Sequence, residues 1–229
     1  MVLVEPGSLV AGRSVTLAPE EGHHLRVRRT RVSDAIRLLD GHGAVGLGHL
    51  DGDLREGRVL IESVEPVAQP AALGLAVGAG DRERFLWLVE KAAEVGVTDV
   101  IPLETERTSG VGNRVRGEHT DRLQRRAREA IKQSGTAWAP VVHLPHTIAE
   151  LISRHRLGTR WLADAAGSTP APPPGDAPVW IAVGPEGGFT EAERRLLMDE
   201  GWTAVRLGPH TLRFETAAVA AAVIAGANR

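Results

Sequence analysis

The sequence predicts an α/β protein, a parallel-sheet domain preceded by a small β-barrel. From Leu73 onward, short apolar runs alternate with amphipathic ones, the signature of strands joined by helices in a parallel sheet. Before residue 66 the apolar runs are all short and closely spaced, which suits a small barrel. The 229 residues are 42% hydrophobic and 24% charged, enough to bury a core in one or two domains.

In order along the chain, Ser14–Leu17, Ala35–Leu39, Ala44–Leu50 and Arg58–Val64 read as strands rich in Val, Ile and Leu. Pro19–Arg31 opens with Pro-Glu-Glu and reads as one short helix. Asp40-Gly41-His42-Gly43 reads as a hairpin turn, since glycine supplies the positive φ such turns require. Val67–Ala71 lacks periodicity and carries Pro70, so the expected division is a domain 1–68 and a domain 72–229.

In the second domain Leu73–Val77 is an apolar strand. Asp81 can cap a helix with Phe85, Leu88, Val89 and Ala92 on one face, ending at Gly96. Thr98–Leu103 follows as a strand, Thr120–Ser134 as a basic helix, Ile148–His155 as a helix and Arg160–Ala163 as a strand. After a Pro-rich loop at Pro170–Pro178 comes the strand Val179–Val183. Thr190 and Glu193 form a capping box that starts another helix. Ala204–Leu207 is the last strand, and Glu215–Ala227 is a closing helix too apolar to be solvated, so it is buried in the fold or against a partner.

Composition excludes several chemistries. Cysteine is absent, which removes disulfides, thiolate zinc sites, iron–sulfur clusters and cysteine nucleophiles together. No Gly-x-Ser-x-Gly, His-Glu-x-x-His or Gly-x-x-x-x-Gly-Lys-Ser/Thr occurs, so serine hydrolase, zincin and P-loop readings fail. His143 and His146 flank a proline with no obvious carboxylate beside them, and no metal is expected. The apolar stretches are too short to span a bilayer and Met1–Val10 has no signal-peptide character, so a cytoplasmic protein without membrane contact is expected. The net charge of −2 gives no global case for nucleic acid. Of the 27 basic residues only Lys91 and Lys132 are lysine, a bias that fits heat adaptation or a base-composition effect.

Two loops could carry chemistry. Gly184-Pro185-Glu186-Gly187-Gly188-Phe189-Thr190 joins a buried strand to a capped helix, where unpaired backbone donors and glycine permit close approach to a ligand. Leu207-Gly208-Pro209-His210-Thr211-Leu212-Arg213-Phe214-Glu215-Thr216 joins the last strand to the closing helix. The first is a ligand loop or a plain tight turn. In the second, Arg213 is functional, or it is solvated while Glu215 or Thr216 caps the helix. Gly78-Ala79-Gly80 follows a strand but lacks the third glycine of a dinucleotide fingerprint. Arg26, Arg28, Arg29 and Arg31, with His23 and His24 beside them, are a candidate RNA contact or a solvated basic face. The Thr120–Ser134 helix adds a second arginine cluster.

Together the two loops closely resemble the bacterial 16S rRNA (uracil-N3)-methyltransferase family of the SPOUT superfamily. The likeness extends to Glu90–Val97, Pro102-Leu103, Glu106-Arg107, Gln133-Ser134-Gly135 and the segment His23–Arg29. Phe214, Thr136 and Arg28 depart from the family pattern, standing where Thr, Arg and an aliphatic residue are usual. The resemblance implies a PUA-like N-terminal barrel, a C-terminal domain with a trefoil knot, and a homodimer through that domain. It also implies S-adenosylmethionine as cofactor and a uridine N3 of 16S rRNA in the assembled small ribosomal subunit as substrate. On this reading Gly184, Pro185, Glu186, Gly187, Gly188, Leu207, Gly208 and Leu212 hold the cofactor. Arg213 stabilises the uracil anion, and Glu186 orients the loop or the cofactor, or acts as a base. Two other functions remain open, a non-catalytic RNA-binding or ribosome-assembly factor with the same fold and a small-molecule transferase using another nucleotide.

Overall fold

The computed structural model describes residues 1–52, 56–110 and 112–227. The last two positions of the expected second domain lie outside them. The chain divides into two compact units, Met1–Gln69 with Arg128–Ala139, and Pro70–Ala127 with Pro140–Arg229.

The first unit holds β1 (Val2–Leu3), β2 (Ser14–Thr16), α1 (Pro19–Val27), β3 (Ile36–Leu39), β4 (Ala44–Leu50) and β5 (Arg58–Pro66). They form a five-stranded sheet in the order β1-β3-β4-β5-β2. β3 and β4 are joined by the expected turn, where Gly41 and Gly43 take φ of 74° and 95°, and Asp40 Oδ1 accepts from the His42 and Ala44 N–H groups at 2.8 and 2.9 Å. Val2, Leu38, Leu50, Val59 and Ile61 fill the core beneath the sheet. Strand β1, absent from the sequence reading, is only two residues long and pairs in parallel with β3, so no local period could announce it. The segment Arg128–Ala139 completes this unit. Ala139 donates to the Gly41 carbonyl at 2.9 Å, Gly43 donates to Ala137 at 3.0 Å, and the Trp138 ring lies where a side chain on Gly43 would be.

The second unit holds β6 (Leu73–Gly78), α2 (Arg82–Glu94), β7 (Asp99–Glu104), α3 (Thr120–Ser134, its last part belonging to the first unit), β8 (Val141–Val142) and β9 (His146–Thr147). It continues through α4 (Ile148–Arg154), β10 (Thr159–Ser168), β11 (Val179–Val183), α5 (Glu191–Asp199), β12 (Thr203–Val205) and α6 (Phe214–Gly226). The seven-stranded sheet runs β12-β10-β11-β6-β7-β8, with β9 pairing β7, and every pairing is parallel. Helices α2 and α6 cover one face, where Phe85, Leu88, Val89 and Ala92 from α2 meet Ala218, Ala221 and Ala225 from α6. The small side chains of α6 allow this close packing and account for its all-round apolar character. The other face is covered by α4 and α5 through Leu151, Ile152 and Leu197. Both central strands are buried at every position, the expected state of a doubly covered parallel sheet. β10 runs well past its expected end at Ala163, with a register break before Ser168 rejoins Val205. The two-residue strands β8 and β9 carry too little sequence to be seen in advance.

Candidate active site

β11 and β6 are neighbours in the sheet and end side by side, with Val183 opposite Val77. The chain leaving β11 must turn at once to start α5, whose N-cap Thr190 and Glu193 form the expected capping box. Glycine makes this turn possible. A Cβ on Gly184 would lie 2.8 Å from the Phe189 nitrogen and 2.9 Å from the Gly188 Cα, while Gly188 itself has φ of 71°. Gly188 closes the turn by donating to the Pro185 carbonyl at 2.7 Å.

The neighbouring exit from β6 explains Gly78-Ala79-Gly80. A side chain on Gly78 would collide with Pro185, and a Cβ on Gly80 would sit 2.5 Å from Glu186 Oε2. These glycines therefore make room for the β11 loop. The Glu186 carboxylate crosses that space and accepts from the Asp81 N–H at 3.2 Å. Asp81 in turn caps α2, accepting from Glu83 and Arg84 N–H groups at 3.1 and 3.0 Å, and the Arg84 bond leads in holding its carboxyl below the usual range.

The loop after β12 faces the glycine loop across a cavity of about 610 Å³. Gly184, Pro185, Glu186, Gly187, Gly188, Leu207, Gly208, Leu212 and Arg213, all named from the sequence, line this one cavity. Such a volume falls within the roughly 300–1,000 Å³ usual for small-molecule sites. Val183, Phe189, Leu207, Leu212 and Phe214 give it apolar walls.

Its charges were only partly anticipated. Arg84, Asp164, Arg194, Arg206 and His210 also line the cavity. Asp164 is paired with Arg194 and accepts from the Ala166 N–H at 2.8 Å. Asp164 follows directly on the expected strand Arg160–Ala163, and position at a strand end could have singled it out. Arg213 is exposed and makes no ion pair among the described residues. It is the N-cap of α6, with no side-chain cap there, so Glu215 and Thr216 do not cap the helix. Glu215 is instead buried, with Oε2 lacking a partner among the described residues.

In the first unit, Arg26, Arg28, Arg29 and Arg31 are all exposed at the end of α1 and make no ion pair among the described residues. α1 stops at Val27, four residues before its expected end at Arg31, because Arg29 takes a left-handed φ of 53°. Arg29 donates to Arg26 at 3.0 Å and Thr30 to Leu25 at 3.1 Å, closing a Schellman motif with arginine in the place glycine usually fills. The arginines of α3 are differently employed. Arg122 and Arg126 pair with Glu83 and Glu90, and Arg128 donates to the Val4 carbonyl at 3.0 Å. His143 bonds Asp99 at 2.7 Å, and no cluster of three metal-ligating side chains exists among the described residues.

A parallel α/β sheet with a glycine-built cavity at its strand ends has the architecture of a small-molecule-binding α/β protein. The family model of the RNA methyltransferase domain matches residues 67–226, and the chain belongs to that family. The ribosomal RNA small subunit methyltransferase E of Synechocystis is 31% identical, over 94% of this chain and 73% of its own length. The enzyme of the same name from Aquifex aeolicus is 27% identical, over 91% and 92%. A crystal structure of that enzyme from Neisseria gonorrhoeae bound to S-adenosyl methionine superposes with a TM-score of 0.82 at 27% identity, covering 96% of this chain and 94% of that one.

Proposed function

We propose that this chain is an S-adenosylmethionine-dependent methyltransferase acting on N3 of a uridine in 16S rRNA of the small subunit. The cavity between the Gly184–Gly188 and Leu207–Arg213 loops, in a member of this family, is the observation that carries the reading. The cavity suits the cofactor. Its apolar side chains fit an adenine face, and the glycines allow backbone groups to approach the ligand closely. The residues that would hold it are Gly184, Pro185, Gly187, Gly188, Leu207, Gly208 and Leu212. When bound, S-adenosylmethionine supplies an electrophilic methyl group.

The chain's own task is to make N3 nucleophilic and to aim it. Uracil N3 carries a proton, and once that proton leaves, negative charge spreads over O2 and O4. Arg213, which lines the cavity and makes no ion pair among the described residues, supplies the compensating charge. Glu186 already accepts the Asp81 N–H, which favours orienting the loop over taking a proton.

The reading assigns RNA contact to Arg26, Arg28, Arg29 and Arg31 in a PUA-like first domain, 1–68, joined by 128–139. It assigns a trefoil-knotted path and homodimerisation to the second domain, 72–229. Trp87 on α2 and Val223 on α6, each about half exposed, support an apolar contact there. Cytoplasmic location follows from the substrate, and no helix among the described residues is long and apolar enough to cross a membrane.

The test is methylation of small subunits purified from a strain lacking this gene, followed by nucleoside mass spectrometry. The expected product is 3-methyluridine. A methyl group on another atom would reject the N3 assignment, and no transfer would reject the enzyme.

A further inference from the structure

The glycine loop is tied down at three places by segments that the sequence places far from it. At its start, the Glu186 carboxylate accepts from the Asp81 N–H. At its middle, the Arg107 guanidinium donates to the Gly187 carbonyl, and the arginine stem lies so close that a Cβ on Gly187 would be 3.0 Å from Arg107 Cδ. At its end, the two oxygens of Glu193 bridge the Thr190 N–H and the Glu106 N–H, each at 2.8 Å. Two of these ties come from a single turn, Glu106–Thr108, which follows β7. That turn is itself rigid. Thr105 and Thr108 are buried, and Thr108 Oγ1 accepts from the Thr105 N–H and donates to the Thr105 carbonyl, both at 2.9 Å.

We propose that Arg107 and Glu193 are positioning residues that latch the Gly184–Gly188 loop onto the fixed turn after β7 and keep it preformed for the cofactor. The proposal rests on the cofactor reading given above, to which it adds two residues outside the cavity lining. Its physical basis is population. A glycine-rich loop has many accessible backbone states, and a ligand that needs one of them has its Kd raised by the reciprocal of the fraction of molecules in that state. Holding the loop from outside removes that penalty without touching the ligand. Because the latch acts on the free protein, its loss weakens cofactor affinity and leaves the rate at saturating cofactor unchanged.

The test compares the wild type with Arg107→Ala, Arg107→Lys and Glu193→Gln. Hydrogen exchange of the Gly188 amide, which is bonded to Pro185 in the free protein, should accelerate in Arg107→Ala. Calorimetry should give a Kd for S-adenosylmethionine raised roughly tenfold, the scale of one charge-assisted hydrogen bond. Arg107→Lys should restore most of this, since a single carbonyl accepts equally from an ammonium. Arg107→Ala combined with Glu193→Gln should fall short of additivity, because both release the same loop. Unchanged exchange, or an unchanged Kd beside faster exchange, would overturn the latch. So would a lower rate at saturation with Kd unchanged. A wild type with no affinity for S-adenosylmethionine would instead refute the cofactor reading, while the exchange measurement still tests the latch.

Discussion

A guanidinium without a carboxylate partner keeps its full charge for a developing anion, and Arg213, lining the cavity, makes no ion pair among the described residues. Its effect belongs to the transition state. Arg213→Ala should lower the single-turnover rate about a hundredfold or more, roughly 3 kcal/mol, while cofactor affinity stays near wild type. Arg213→Lys should recover part of it, because an ammonium cannot present a planar fork. A parallel loss of cofactor affinity and melting temperature would mark Arg213 as a structural pin instead. Arg29 makes a second residue-scale case. It occupies a left-handed position that costs a non-glycine residue about 1 kcal/mol. Arg29→Gly should therefore raise the melting temperature and weaken RNA binding, reducing the log–log salt slope by about one unit at most. Unchanged RNA affinity would detach Arg29 from the RNA. The cavity residues were legible because glycine, proline and a carboxylate crowd into one short segment. Asp164 is marked in the sequence only by its place at a strand end, and the contact of Arg107 with the glycine loop depends on which strand ends become neighbours, an order not written locally.

Elements were legible where period and caps agree. Asp81, Thr190 and Glu193 start their helices as their side-chain chemistry dictates, and α2 buries the four residues its spacing selects. The short strands β1, β8 and β9 escaped because two residues carry no period. α4 shows a property no pattern displays. Its C-cap His155 stacks on Trp180 with ring centroids 3.6 Å apart, and burial pushes its pKa down to about 4. Between about pH 6.5 and 4 the unfolded chain binds a proton that the native state refuses. Stability should consequently decline as pH falls through that window, read as a lower urea midpoint at pH 4.5 than at pH 7. His155→Phe, which keeps a ring against Trp180, should flatten part of that decline. An identical slope in the variant would assign the acid sensitivity elsewhere.

At the scale of the whole molecule, the change in pattern at Val67–Ala71 is visible in the sequence, while the grouping of Arg128–Ala139 with the first unit is not. That grouping is made by tertiary bonds from Ala137 and Ala139 to a turn nearly a hundred residues earlier, which leave no local trace. The proposed dimer is testable at this scale. Trp87→Glu should shift the protein toward monomers in sedimentation without altering the folded circular dichroism signal, because Trp87 is 44% exposed on α2. A dimer surviving both Trp87→Glu and Val223→Glu would place the contact on another surface.

The borrowed segment also constrains how such a protein can be divided or inherited. A gene fragment ending near residue 69 encodes a first unit without Trp138 and its bonds to the Gly41–Gly43 turn. Recombination at a single junction near residue 69 would join the first segment from one parent to an Arg128–Ala139 segment from the other. Exchange of the complete first unit between relatives therefore needs three junctions, before Pro70, before Arg128 and before Pro140.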